Sequence, residues 1–419
     1  MIKAITGTKD IFAPEVKRWH YLENLVKRIF ENFNYNEIRT PVFEETALFA
    51  RGIGESTDIV SKEMYTFVDR GDTSLTLKPE MTAAVVRAAL EHSFDKQQNL
   101  NKLYYISPMF RQERPQAGRF RQFHQFGAEA LGSESPALDA EMIIIAHDII
   151  AELGLKNFKV KINSLGVPAS RENYKAKLKE YLEPHFDKLS DESKKRFNSN
   201  ILRIFDSKDE TDQNIMKDAP LLIEHLEDES LIHFDEVKKY LMSANVNFEI
   251  DPRLVRGLDY YTHTTFEIIS DSVGSQSALC GGGRYNKLAA EIGDRDIPGV
   301  GFAAGIERIL LACENENAFQ LVEDSIDVYV VRIDKELNQK AYQSAYQLRK
   351  LGLLTEVDYL SRSVKAQMRE ANKLNAKYVI MIGGDEFQKG NFLLKNMKTS
   401  EQEELSLDNL EQVYTRIRG

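Results

Sequence analysis

Cysteine is nearly absent from this chain. Cys280 and Cys313 are the only two in 419 residues, so no disulfide framework is available and a reducing compartment suits it. Histidine is also scarce: the eight present show no His-x-x-x-His spacing and meet no paired Cys-x-x-Cys, so no protein-only metal site is expected. No apolar run approaches the ~20 residues that a bilayer-spanning helix needs. Met1-Ile2-Lys3-Ala4-Ile5-Thr6 opens a polar stretch rather than a secretory h-region. The expected compartment is the cytoplasm, without membrane contact. Positive charge is not in excess either: the net charge is −10, which argues against a non-specific coat for nucleic acid but leaves room for a local basic site. Internal repeats and low-complexity tracts are missing.

What is there is an ordinary globular composition, 42% hydrophobic and 29% charged. The length calls for two or three domains, since one core rarely grows past roughly 250–300 residues. From Pro14 to Asn32 the positions Val16, Trp19, Leu22, Val26, Ile29 and Phe30 recur at helical spacing. An extended segment from Tyr35 to Glu44 follows, interrupted by Pro41, which points to a sheet edge. Tyr65–Asp69 and Ser74–Lys78 read as a hairpin. Leu77-Lys78-Pro79-Glu80-Met81-Thr82 then opens a helix, and its Pro-Glu-x-Thr could simply be a helix cap. Glu141–Leu153 reads as a helix closed by Gly154, and Lys159–Asn163 as a strand. Residues 170–245 turn Lys-, Asp-, Glu- and Asn-rich with helical apolar spacing, the pattern of an inserted helical subdomain. Beyond Ser325, β-prone and helical segments alternate, so an α/β unit over 325–419 is expected. That unit holds 15 Lys and Arg against 13 Asp and Glu, while the rest of the chain is acidic.

The densest chemistry lies in 110–129. Arg111, Glu113, Arg114, Arg119, Arg121 and Glu129 share this window with Phe110, Phe120, Phe123 and Phe126, and Pro115 and Gly118 mark a turn at its middle. Alternation on both flanks predicts an antiparallel hairpin with arginines fanned around its loop. Guanidinium forks suit phosphate and carboxylate oxygens, and a phenylalanine beside them can stack on a base. Two further segments stand out: Leu254-Val255-Arg256-Gly257-Leu258-Asp259-Tyr260-Tyr261, leading into the β-prone run Thr264–Ile269, and Ala278-Leu279-Cys280-Gly281-Gly282-Gly283-Arg284-Tyr285-Asn286. Three glycines in a row leave no side-chain wall, so a flat ring could lie on the backbone. Gly299-x-Gly301-x-x-x-Gly305 resembles a dinucleotide fingerprint in spacing alone; no first βαβ unit precedes it, so it is read as a strand entering a helix with Glu307 and Arg308.

The 110–129 window resembles motif 2 of the class II aminoacyl-tRNA synthetases in its histidyl form. The helix and proline-bearing segment near the N-terminus are similar to motif 1, and 297–310 is similar to motif 3. The Arg256 and triple-glycine segments resemble the stretches peculiar to the histidyl members, with Asn286 standing where an aspartate is usual. The resemblance implies an α+β catalytic domain over 1–324 built on an antiparallel sheet of the class II type, a helical insertion at about 170–245 that leans on the tRNA acceptor stem, and an α/β anticodon-binding domain over 325–419. It implies a homodimer that uses L-histidine, ATP with Mg²⁺, and tRNA specific for histidine.

By residue, it implies that Arg111 and Arg256 flank the reacting phosphorus and touch the amino acid. Glu80, Thr82 and Gln125 read its ammonium. Glu129 and Tyr261 read the ring nitrogens, beside Tyr260. Glu113 and Phe123 hold adenine, Arg119, Arg121 and Arg308 the outer phosphates, and Arg114 and Gln116 the tRNA end. The competing expectation is a catalytically inactive paralogue that senses histidine as regulatory subunit of a phosphoribosyltransferase. Such paralogues lose the arginines and the C-terminal module, which this chain keeps.

Overall fold

The computed structural model describes residues 2–54, 57, 59–255, 260–274, 277–319 and 324–418. The chain divides into two compact units, Met1–Gln320 and Leu321–Gly419.

The first unit is organised by an eight-stranded sheet. Its order is Asn36–Glu37, Asn101–Phe110, Gln122–Leu131, Gly299–Gly305, Ala278–Arg284, Thr262–Ile269, Lys159–Ser164 and Phe248–Ile250. The six inner strands run antiparallel, and the two-residue and three-residue edge strands add in parallel. The sheet is therefore mixed at its rims. The hairpin expected around 110–121 is present: Asn101 to Phe110 pairs residue by residue with Leu131 to Gln122.

Side chains alternate across the sheet, because successive residues of a strand point to opposite faces. On one face Tyr104, Phe126, Ala128, Ala130, Val300, Phe302, Ile162 and Phe266 pack against helices. Those helices are Glu15–Asn32, Pro136–Glu152, Asp228–Ser243 and Ile306–Asn315, which contribute Trp19, Leu22, Val26, Phe30, Ile145, Ile149, Phe234, Val237 and Ile309 to the same core. Burying one large apolar side chain in such a layer contributes about 1.5–3 kcal/mol, so the face is sealed by many small contributions. Helix Asp228–Ser243 thus belongs to this core, whereas the preceding helices from Pro168–Leu182 onward pack among themselves around Tyr174, Leu178, Leu182, Ile201 and Ile204. The opposite face receives the helix Thr82–Glu91 through Met81, Val85, Val86 and Ala89, and leaves a cavity beside it.

A three-stranded sheet of Phe43–Glu45, Ser74–Leu77 and Tyr65–Val68 stands apart. The segment around Pro41 is split by it: Asn36–Glu37 joins the large sheet, and Phe43–Glu45 the small one.

The second unit is a five-stranded sheet ordered Thr355–Val357, Val328–Arg332, Tyr378–Ile382, Asn391–Asn396 and Gln402–Ser406. The first three strands are parallel and joined by the helices Asn338–Lys350 and Val364–Lys373. The last two extend the sheet as an antiparallel hairpin that the pattern of apolar residues had not revealed.

One buried ion pair lies under the large sheet. Arg284 and Asp139 are both sealed from solvent, and the guanidinium donates to both carboxylate oxygens and to the carbonyls of Ser133 and Ser135. Burial pushes the Asp139 carboxyl up, but Arg284 and His233 outweigh it and hold it below the ordinary range. Breaking a buried pair strands the other charge, at a cost of about 3–5 kcal/mol. Asp139→Ala is therefore expected to lower the midpoint of urea unfolding of the first unit sharply. Lys9→Ala, at an exposed pair with Glu15, should change stability by less than ~1 kcal/mol.

Candidate functional site

The alternation that buries Phe126, Ala128 and Ala130 turns Phe123, Gln125, Gly127 and Glu129 to the other face of the sheet. There, a cavity of ≈ 270 Å³ is bounded by the 110–121 loop, the start of helix Thr82–Glu91, Tyr260 and Tyr261, the glycine-rich strands and the first turn of helix Ile306–Asn315. Its floor is made of small residues: Ala278, Gly281, Gly301, Ala303 and Gly305. A flat ligand can approach the backbone there.

One end of the cavity is cationic. Arg111, Arg119 and Arg308 line it together with Phe120, Phe123, Glu113 and Glu267. Arg111 donates from Nε to the Pro79 carbonyl at 2.9 Å, and its guanidinium carbon lies 5.2 Å from the centre of the Phe123 ring. Glu113 holds the cluster: its carboxylate is 2.6 Å from Arg119 Nε and 3.7 Å from Arg111 Nη1. Arg308 donates to the Ala278 carbonyl at 2.6 Å. Burial and the neighbouring Arg119 and Arg111 push the Arg308 guanidinium below its ordinary value, with Glu113 acting in the opposite sense. Like charges crowded in this way are eased by an anion between them. Glu307, next to Arg308, accepts from the backbone N–H of His124 at 2.9 Å and faces its Nδ1 at 3.0 Å. This carboxylate takes over where the ladder between the two strands ends at Gln125 and Gly305.

The other end is acidic and buried. Glu129 is fully buried, and the hydroxyls of Tyr285, Thr82 and Tyr105 donate to it, at 2.8 Å for Thr82 and 3.4 Å for Tyr105. Burial raises its pKa to about 8, against the lowering effect of those hydroxyls. Gly301 lies opposite Glu129 in the ladder, and a Cβ there would fall 1.8 Å from the carboxylate. Only glycine leaves room for this acid. Glu80 is buried too; its two oxygens accept the backbone N–H groups of Thr82 and Ala83 at 2.7 and 2.9 Å. The cap that the Pro-Glu-x-Thr pattern allowed is therefore real, and the same carboxylate also lines the cavity. Burial raises its pKa, partly offset by those backbone donors. Gln125 Oε1 is buried with no hydrogen-bond partner among the described residues. A buried acceptor left unpaired is costly, about 1–3 kcal/mol, so this atom points to a ligand donor.

Glu80, Thr82, Arg111, Glu113, Arg119, Phe123, Gln125, Tyr260, Tyr261 and Arg308 thus share one cavity, with Glu129 bonded to Thr82 beneath it. Arg121 is not among the lining residues; its side chain packs by Gly7, with Nε 3.4 Å from the Glu113 carbonyl. Arg114 and Gln116 are exposed on the loop. Arg256 lies outside the described residues. Tyr285, Tyr105, Gly301, Glu267 and Glu307 received no role from the sequence. Tyr285 carried a signal in its place directly after the glycine-rich strand, and Gly301 and Glu307 in the strand-to-helix stretch that ends in Arg308. Among the described residues no cluster of three His, Cys, Asp or Glu side chains could hold a metal ion.

Comparison with known proteins gives a consistent result. Residues 7–309 match a family model described as histidyl-tRNA synthetase, and 327–416 match one described as an anticodon binding domain. The histidine–tRNA ligase of Halothermothrix orenii is 52% identical over 98% of both chains. That of Listeria monocytogenes serovar 1/2a is 48% identical over 99% of this chain and 98% of its own. The apo structure of S. aureus histidyl-tRNA synthetase superposes with a TM-score of 0.84 at 39% identity, covering 99% of each chain. A structure from Bacillus halodurans C, titled as an ATP phosphoribosyltransferase regulatory subunit/histidyl-tRNA synthetase, shares the fold at 21% identity and a TM-score of 0.66, over 92% of this chain and 99% of its own. With its catalytic and anticodon-binding portions both matched along nearly the whole length, the chain belongs to the histidyl-tRNA synthetase family, a family of ATP-dependent ligases.

Proposed function

We propose that this chain activates L-histidine with ATP and transfers it to the 3′ end of histidine-specific tRNA, and that the cavity does so with its two ends. The observation that carries the reading is that segregation: three guanidiniums at one end of the cavity, and Glu80, Thr82 and the buried Oε1 of Gln125 at the other, with Glu129 buried beneath Thr82. The arginine end takes the phosphates of ATP, with adenine against Phe123 and Glu113. The acidic end takes the amino acid, its ammonium toward Glu80, Thr82 and Gln125, its ring nitrogens toward Glu129 and Tyr261, with Tyr260 alongside. A pocket that pairs both ring nitrogens rejects side chains lacking them, because its own buried groups would go unpaired.

In the first step a carboxylate oxygen of histidine attacks the α-phosphorus in line, and pyrophosphate leaves. In the second, the terminal ribose hydroxyl of the tRNA attacks the acyl carbon, and AMP leaves. Neither step needs a covalent enzyme intermediate, so the protein's work is positioning and charge neutralisation. Arg111 and Arg256 are assigned to the reacting phosphorus, and Arg119 and Arg308 to the outer phosphates. Arg121, placed behind the loop, would reach them only after the loop shifts. Arg114 and Gln116 are assigned to the tRNA end. Mg²⁺ is assigned to enter with ATP: Glu267, which lines the arginine end, is a hard oxygen donor that fits it, and its chemistry there would be neutralisation of phosphate charge. Cytoplasmic residence agrees with the two buried cysteines and with the absence, among the described residues, of a helix able to cross a membrane. Homodimer formation is supported by exposed Val42, Phe43, Phe67 and Val68, apolar side chains on and beside the small sheet; sedimentation tests it. The regulatory-subunit reading has less support, since the arginines and the C-terminal unit are retained.

Histidine-dependent exchange of pyrophosphate into ATP is the direct test of the reading. Arg111→Ala and Arg256→Ala are each expected to lower its rate by about 10²–10³-fold with folding intact, as for loss of one donor to a developing charge. Near-unaltered exchange in Arg256→Ala would remove that residue from the site. A pH prediction follows from Glu129. A carboxyl with a raised folded-state pKa keeps a proton that the unfolded chain has already released. Its favourable contribution is whole below the ordinary value of 4.5 and is lost as pH rises through about 8. The melting temperature of the ligand-free protein is therefore expected to fall across that window. Glu129→Gln should show a shallower fall, read by scanning calorimetry at several pH values.

A further inference from the structure

The strand that directly follows Tyr260 and Tyr261 is irregular. Gly283 pairs with Thr265, but the next residue, Arg284, pairs with Thr262, so His263 and Thr264 form a bulge. His263 has φ of 45°, in the left-handed region that a residue with a Cβ adopts only under constraint. A bulge re-aims the chain beside it, and here that chain leads back through Thr262 to Tyr261 and Tyr260.

The constraint on this bulge comes from the chain on both sides of the insertion's root and from the first turn of its opening helix. The His263 backbone N–H donates to the Gly166 carbonyl at 2.8 Å, and the Leu165 N–H donates to the His263 carbonyl at 2.7 Å. Ser230 Oγ lies 3.2 Å from His263 Nδ1 and donates to Glu227, which also accepts from Ser170 Oγ. Then Arg171, in the first turn of helix Pro168–Leu182, donates from Nη1 to the carbonyl of Tyr261 at 2.6 Å. The helix that opens the insertion therefore grips the backbone of a cavity tyrosine from behind. A second cavity, of ≈ 220 Å³, is lined by Val167, Pro168, Glu229, Thr262 and His263, beside the bulge and the start of the inserted helix.

We propose that Arg171 is a positioning residue that couples the posture of the inserted helix to the orientation of Tyr261, and hence to amino-acid affinity. The inference rests on the assignment of the acidic end to histidine. Coupling between two parts of one molecule is reciprocal. Histidine in the cavity steadies helix Pro168–Leu182, and a partner that shifts this helix alters the hold on histidine. Arg171 does not line the cavity, and the phosphate end is built from other elements, so the effect is confined to one substrate.

The test compares the wild-type chain with Arg171→Ala in the pyrophosphate exchange assay, and follows amide hydrogen exchange of residues 168–182 with and without histidine. Arg171→Ala is expected to raise KM for histidine by about ten- to a hundredfold, the effect of losing one charged donor, with KM for ATP unchanged. Arg171→Lys, which keeps a charged donor, should fall between. Histidine should slow exchange of the 168–182 amides in the wild type and not in Arg171→Ala. Should Arg171→Ala fail to fold, Arg171→Gln carries the same comparison. Unchanged KM for histidine, or a parallel rise in KM for ATP, overturns the inference. A wild-type chain with no histidine-dependent exchange overturns the assignment of the site itself.

Discussion

Glu129 sits at the bottom of the cavity with no solvent contact, and the architecture around it is the answer to that one buried acid. Three hydroxyls from three separate elements, Thr82, Tyr105 and Tyr285, converge on its oxygens. The neighbouring strand presents a glycine where any other residue would occupy the space of the carboxylate. Helix Thr82–Glu91 must dock where its first residue can reach Glu129, and that docking is fixed by Glu80, which caps the helix from two residues ahead. An isolated carboxylate at this depth would be destabilising. Its retention makes sense as a recognition group whose partner arrives with the substrate.

The cavity keeps its two charge types apart with the sheet itself. The acid lies near the far end of the Gln122–Leu131 strand, and the arginines cluster around the turn where that strand begins. Over such a span, the pull of the guanidiniums on Glu129 is small beside the effect of burial, which is why the carboxyl stays high. At the arginine end the opposite holds. Glu113 and Glu307 are spent inside the protein, one holding Arg111 and Arg119, the other finishing the strand ladder at His124. The enclosure thus offers a dianion-hungry mouth and an interior suited to a small cation or N–H donor.

Much of this was readable in the linear chain, for reasons that can be named. The alternation of Phe123, Gln125 and Glu129 with Phe126 and Ala128 separates the two faces of the strand, because a strand has period two, whereas the roles of those side chains toward a ligand came from the resemblance. The amphipathic helix from Pro14 to Asn32 and the strand–helix alternation after Ser325 follow from periodicity in the same way. Other features were not readable. Tyr285 reaches Glu129 across 156 positions, and no local pattern announces such a pairing. The displacement of Arg121 from the cavity depends on packing by Gly7, a tertiary contact. The hairpin Asn391–Asn396 with Gln402–Ser406 hid because its outward residues are polar and its strands are short.

The parallel pairing of Lys159–Ser164 with Phe248–Ile250 at the rim of the large sheet has a topological meaning. Strand, helix Asp228–Ser243 and strand already compose a complete crossover, so the helices between 168 and 225 are an excursion interrupting a finished unit. They leave and rejoin the chain without changing the register of any ladder. A change of chain length within this excursion would therefore leave the sheet intact, while a change in the few residues at its root, where it rejoins the crossover beside the bulge, would not.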